Sequence, residues 1–358
     1  MKVRFFLLGI PLFFNALAQD QESEEESSKV QHSALLDLGT THLRTDDQVF
    51  STSQVSLQNE LNIEMTDSIM LQFDLFLTHY NSPLEADPIF ANSLNYRVTK
   101  APLWSKAEDS TLSEVDIHTF YLNYFNDSFG IKLGRQQISH GSAYLMNVSD
   151  IFNSQLGVLK DTEKKPGVDA FRFTYLFENG VELEVIGMAQ KDFSKPTGVV
   201  KASGGFADFG LSSYVGGMEK EFLWALDINR PLFDMSFYLE SLLRKTKEKT
   251  DIRSTLGGAG RVLKVNYILE LYYFKEVQQT KNMFQLVTNL SKEFDVSQVS
   301  LTVKGSLQNK DNHQTIISVQ HRPHDDFLFF VRHATEFSRF DKFNDAAHLF
   351  QVGFRGFL

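Results

Sequence analysis

Residues 348–358 read HLFQVGFRGFL. Phe350, Val352, Phe354, Gly356 and Leu358 share one phase, and Gln351, Gly353 and Arg355 share the other. A period of two puts the sets on opposite faces of a β-strand. With nothing following to cover it, such a strand exposes a row of unpaired N–H and C=O groups. Pairing with the chain's own first strand removes that edge and closes the sheet. A soluble sandwich ending on a strand is the alternative from this segment alone.

The opposite terminus favours the closed barrel. Lys2 and Arg4 precede an apolar run from Phe5 to Phe14, and Ala16-Leu17-Ala18 forms a small-x-small cleavage site. Residues 1–18 are therefore expected to be a secretory signal peptide. Without Lys2 and Arg4 the chain keeps 33 of its 35 basic residues against 45 acidic ones, a formal charge of −12. Residues 19–32 are expected to form a disordered acidic tail around Asp20, Glu22, Glu24, Glu25 and Glu26. A calcium site in that run is the lesser reading. There are no cysteines, which excludes lipid anchoring through cysteine, disulfides and thiol chemistry. No later stretch approaches the roughly 20 apolar residues of a membrane helix. Mean hydropathy is −0.22 although aromatics reach 13%. A transmembrane barrel reconciles the two, because its polar lumen offsets its apolar belt.

Strand signals recur along the whole chain. Val55, Leu57, Leu61, Ile63 and Met65 alternate against Ser56, Gln58, Glu60, Asn62 and Glu64. Further runs follow at Ile69 to Thr78, Phe129 to Ile138, Asp169 to Phe177 and Val181 to Gln190. Later ones are Phe222 to Asn229, Met235 to Arg244, Val265 to Phe274, Phe284 to Leu290, Val299 to Leu307 and Phe327 to Glu336. Short connections near Thr66-Asp67, Asn126-Asp127 and Asn179-Gly180 alternate with long polar ones at 81–114, 139–168, 191–220 and 246–254. Short periplasmic turns facing long outer loops are the pattern of bacterial barrels. The reading is all-β: one antiparallel transmembrane barrel over residues 33–358 with about 16 strands, 14 and 18 being the alternatives.

The phase of the final strand resembles the terminal strand of bacterial outer-membrane barrels. This likeness implies that Phe350, Val352, Phe354 and Leu358 present a signal to the barrel assembly machinery. A second likeness lies in the middle of the chain. Gly134-Arg135-Gln136-Gln137-Ile138-Ser139-His140-Gly141 closes one strand, and Asn147-Val148-Ser149-Asp150-Ile151-Phe152-Asn153 follows in the loop. Lys165-Pro166-Gly167-Val168-Asp169-Ala170-Phe171-Arg172 then opens the next strand. This succession resembles alginate-export-type and related porins of Gram-negative bacteria, over about 40 residues. It implies an outer-membrane channel for passive diffusion of small polar solutes or ions. Those porins carry an arginine soon after the second glycine, where this chain has Ser142-Ala143-Tyr144.

Alternation assigns Lys132, Gln136 and Arg172 to the lumen, and places Arg135 and Asp169 near the outer rim. The loop 139–168, with His140 and Asp150, is long enough to fold inward and narrow the bore. Asp150, Lys160, Asp161 and Lys165 in that loop would set a local field, or Arg135, Asp150, Asp169 and Arg172 would pair up and pin the loop to the wall. Glu60, Glu64, Asp74, Glu182, Glu184, Glu240, Glu270 and Glu336 against Lys132, Arg172, Lys304, Arg332 and Arg355 suggest a mild cation preference. Tyr272-Tyr273-Phe274 reads as interfacial girdle. The ten histidines form neither an HExxH motif nor a helical metal pair, and no Gly-x-Ser-x-Gly elbow occurs. No metal or cofactor is expected. The negative charge argues against nucleic acid. Outer-membrane lipid and small polar solutes are the expected partners, with a monomer or trimer as the assembly. A closed-lumen structural or adhesive barrel is the alternative function. A rim hydrolase built on Ser139, His140 and Asp150 is a weaker one, since adjacent strand residues point apart.

Overall fold

The computed structural model describes residues 29–44, 49–81, 104–108, 111–152, 167–188, 197–218, 221–262, 264–278, 281–294, 296–306, 313–337 and 347–357. The signal peptide, nearly all of the acidic tail and Leu358 lie outside the described residues. The first strands are β1 (Lys29–Arg44), β2 (Val49–Thr66), β3 (Ile69–Asn81), β4 (Trp104–Glu108), β5 (Thr111–Phe125) and β6 (Phe129–Gln136). Next come β7 (Val168–Leu176), β8 (Glu182–Met188), β9 (Thr197–Phe206), β10 (Phe209–Met218), β11 (Glu221–Leu232) and β12 (Met235–Lys245). The remainder are β13 (Thr250–Val262), β14 (Val265–Glu276), β15 (Lys281–Phe294), β16 (Ser297–Ser306), β17 (His313–His324), β18 (Phe327–Phe337) and β19 (Ala347–Phe357).

Each wall strand pairs antiparallel with its neighbour, and β19 returns to β1 from Leu35↔Phe357 to Arg44↔His348. The barrel is thus closed, leaving no edge to satisfy in hydrocarbon. Arg355 and Asp37 face each other across this seam, with Nη2 to Oδ2 at 3.2 Å. The wall has 18 strands. β4 stands apart from the count, pairing only with the outer end of β5 beyond the reach of β6.

The difference from 16 is one hairpin. β9 and β10 occupy the segment 191–220, which the sequence suggested was loop. Their sequences, TGVVKASGGF and FGLSSYVGGM, carry too many glycines and serines for alternation to show. Those small residues have a packing role. A Cβ at Gly216 would approach the Gly198 carbonyl oxygen to 2.3 Å, so this pair closes only with glycine there. β1 also begins at Lys29, ahead of the expected Ser33.

Register carries one phase continuously round the wall. Phe173, Val185, Val200, Val215 and Trp224 form a single cross-strand row of apolar side chains. Val200, Val215 and Trp224 in it are exposed, as are Leu269, Leu290, Ile317, Val331, Phe350 and Val352 in the same phase further round. An outward apolar belt on a closed wall is a lipid-facing surface, and it places the protein in the outer membrane. β1 begins and β19 ends at the end with short turns, which join strands through two to five residues. The spans 82–110 and 137–167 leave from the opposite end.

Gly134 has φ +126°, and a Cβ there would stand 2.3 Å from the Phe120 carbonyl oxygen. Gly134→Ala is expected to cost about 1–3 kcal/mol through backbone strain, lowering the urea midpoint of the refolded barrel. An unchanged midpoint would show that β5 and β6 can separate to admit a methyl group.

Candidate functional site in the barrel lumen

After β6 the chain turns inward at Ser139 instead of continuing along the wall. The described part of this connection, residues 139–152, contains no regular secondary structure. A stretch without its own ladder must find outside partners for every buried peptide group. The inward phase of β8 and β10–β14 supplies them.

Glu240 on β12 accepts from the backbone N–H groups of Ala143 (2.6 Å), Val148 (2.9 Å) and Ser149 (3.1 Å). Glu270 on β14 accepts from those of Tyr144 (2.8 Å), Leu145 (2.9 Å) and Met146 (2.5 Å), and from the Tyr238 hydroxyl (2.6 Å). Both carboxylates are fully buried. Backbone carbonyls are met as well: Thr255 Oγ1 donates to Met146 O at 2.5 Å, and the Tyr214 hydroxyl donates to Ser149 O. Asp227 on β11 accepts from Ser142 Oγ at 2.8 Å. Asn147 ties the segment to itself, donating to His140 O and accepting from the Asp150 N–H, each at 2.8 Å. Ile138, Val148 and Phe152 complete the fit, packing on Ile186, Val199, Leu223, Leu242 and Val287 of the inner wall. Tyr272 belongs to this cluster and faces inward, paired with Thr255, so it is not part of the interfacial girdle.

Glu184 on β8 is a separate hub. It pairs with His140 Nε2 at 3.1 Å, with Arg172, and with Lys201 Nζ at 3.9 Å. Register sets Lys132 directly beside Arg172, so three cations cluster around one carboxylate. The opposite wall is a hydrogen-bonded ladder. Glu60 and Asp74 are direct cross-strand partners, like charges side by side. Glu60 accepts from Gln72 (2.9 Å) and Asn62 (3.1 Å), and Asp74 from Gln58 (2.9 Å). Lys132 Nζ lies 4.3 Å from the Tyr121 ring centroid.

The expected site residues separate into groups. Glu60, Asp74, Lys132, Arg172 and Arg332 have the inward phase. Arg135 and Asp169 do not: they share the outward phase of Leu133 and Phe171. They are bonded across β6 and β7 at 2.8 Å, with Arg135 also donating to Ile117 O at 3.0 Å. A bulge in the β3–β5 register opposite Asp74/Leu75 brings that carbonyl within reach. Gln136 is wholly enclosed and donates to Ala170 O at 3.0 Å, a wall contact rather than a pore surface. Asp150 accepts from Ser139 Oγ at 3.1 Å inside the folded segment. His140 faces Glu184 through Nε2, and its Nδ1 has no hydrogen-bond partner, so Ser139, His140 and Asp150 do not form a proton relay. The wall carboxylates holding residues 142–149 were missed as anchors. Their only sequence signal is an acid at the inward phase of successive strands, which suits a water-filled pore equally well.

Comparison of the fold with solved structures gives close architectural matches over nearly the whole chain. OccAB4 of Acinetobacter baumannii superposes with a TM-score of 0.63 at 8% identity, covering 94% of this chain and 100% of that one. The outer membrane protein OpdK of Pseudomonas aeruginosa gives 0.60 at 9%, covering 92% and 99%. The trimer form of OmpT, an outer membrane protein of Vibrio cholerae, gives 0.51 at 11%, covering 93% and 100%. The fold is the outer-membrane porin barrel. At these identities the likeness is one of architecture. No family model matches the sequence, and a search of curated proteins finds no match.

Replacing Glu240 with Ala leaves three buried N–H groups without an acceptor, each costing roughly 1–3 kcal/mol, and replacing Glu270 strands one buried and two part-buried ones. Either variant is expected to expose Tyr144–Met146 to chymotrypsin at least about tenfold faster than the parent, in a barrel that still refolds. Equal cleavage rates would mean that the apolar contacts alone hold the segment.

Proposed function

We propose that this protein is a porin for passive diffusion of small polar solutes or ions, its bore narrowed by the inward segment 139–152. The observation carrying this reading is the pairing of six backbone N–H groups with two buried carboxylates. That arrangement holds an irregular stretch in one place against one side of the lumen. The other side keeps a polar, hydrogen-bonded surface on β2, β3 and β5. A fixed restriction beside a polar face is what solute selection by size and charge requires. The likeness of residues 134–172 to alginate-export-type porins supports the same class.

Selectivity follows from which charges water can reach. Glu240 and Glu270 are consumed by peptide groups, and Glu184 is enclosed by cations. The side chains of Arg172 and Lys201 keep 29% and 18% of their surface open, and Lys132 adds a third cation beside them. This inverts the mild cation preference suggested by counting acids, and favours anions at the restriction. OpdK is described with vanillate, a carboxylate, bound to that protein.

The refolded mature protein is expected to give a steady single-channel conductance in planar bilayers, with a reversal potential of anionic sign under a salt gradient. Silence from folded, inserted protein would favour the closed structural barrel. Arg172→Glu is expected to move the reversal potential toward cations; an unmoved potential would remove Arg172 from the conducting surface. The Glu240→Ala/Glu270→Ala double variant is expected to conduct more, with larger open-channel noise, since its segment is released. A conductance equal to the parent's would place the narrowest point elsewhere.

A further inference from the structure

Below the inward segment, toward the short-turn end, the wall holds a recess of 390 Å³ between residues 139–141 and strands β9, β10 and β11. Ser203, Ser212 and Asp227 form one register row across these three strands, and Lys201 stands one inward position above Ser203 on β9. His140 closes the top. Gly204 and Gly210 form part of the floor, and a Cβ at Gly210 would lie 2.5 Å from Asn229 Oδ1. The only apolar side chain in the lining is Leu211, which has the outward phase.

The donors and acceptors here are incompletely used. Asp227 gives Oδ2 to Ser142, while its buried Oδ1 has no protein partner. His140 meets the Glu184 carboxylate through Nε2, and its Nδ1 is also buried and without a protein partner. Lys201 has its nearest carboxylate oxygen at 3.9 Å, too far for a hydrogen bond. Two hydroxyls lie between them. One cation and one anion leave the recess without net charge, so a singly charged solute gains at one end and loses at the other. A hydroxyl group both donates and accepts, and so meets Asp227, His140 and Lys201 alike.

We propose that this recess is a binding subsite for a neutral polyhydroxylated solute of monosaccharide size, positioned on the short-turn side of the restriction. Its volume falls within the usual range for small-molecule sites. The subsite slows such solutes and selects them after passage through the narrow point. This rests on the channel reading above.

The test uses the full mature barrel in planar bilayers, titrated with D-glucose and separately with glycine, each current normalised to the same variant's solute-free value. Glucose is expected to reduce the current saturably, and glycine to leave it without saturation. Ser203→Ala/Ser212→Ala is expected to raise the half-blocking glucose concentration about tenfold, and Lys201→Met to raise it similarly. A non-saturable glucose effect, equal block of parent and variants, or saturable block by glycine in place of glucose overturns the proposal. If the folded protein does not conduct, the channel reading fails on its own. Calorimetric titration of the folded barrel with glucose then decides the subsite. Saturable heat that the double serine variant loses supports it, and heat of dilution alone refutes it.

Discussion

Peptide N–H and C=O groups removed from water must be paired, and two different solutions to that requirement build this molecule. In the wall the solution is closure, with β19 returned to β1 so that no strand keeps a free edge. Inside the barrel, residues 139–152 have no ladder, and side chains of the wall replace it. Glu240 and Glu270 each gather three N–H groups, so neither the carboxylates nor the peptide groups are stranded in a buried environment. Each half would be costly alone, because a buried unpaired charge and a buried unpaired amide are both penalised. Together they form a fixed inner surface.

That mutual satisfaction also redistributes charge. A chain with ten more acids than bases presents cations at mid-height on one side of its lumen. The acids there are turned to structural use, while Lys132, Arg172 and Lys201 border open space. Net charge therefore says little about the field inside the lumen, and the relevant quantity is which groups keep solvent contact.

The fold class was legible because lipid on one face and water on the other force a period of two over nearly every strand. Strand ends and turns near Thr66, Asn126 and Asn179 were legible for the same reason. The β9–β10 hairpin escaped because glycine and serine fulfil its inward requirement for small volume without producing a hydropathy contrast. An inward fold was expected of the whole loop 139–168; residues 139–152 lie against the inner wall, and residues 153–166 lie outside the described residues. The partners holding residues 139–152 were not expected, since an inward glutamate looks the same in sequence whether it meets water or an amide. Arg135 and Asp169 were given to the restriction, yet they brace β6 against β7 on the outward phase. Only the register resolves that difference at a strand end.

The inward segment precedes its anchors in the chain by as many as 126 residues. Its acceptors on β11, β12 and β14 come into place only when those strands have joined the wall. During biogenesis the segment therefore has no docking surface until the second half of the barrel is present. The ordered inner surface is then a late product of wall assembly. Loss of β14 would leave the Tyr144, Leu145 and Met146 N–H groups without their acceptor even where the remaining wall had formed.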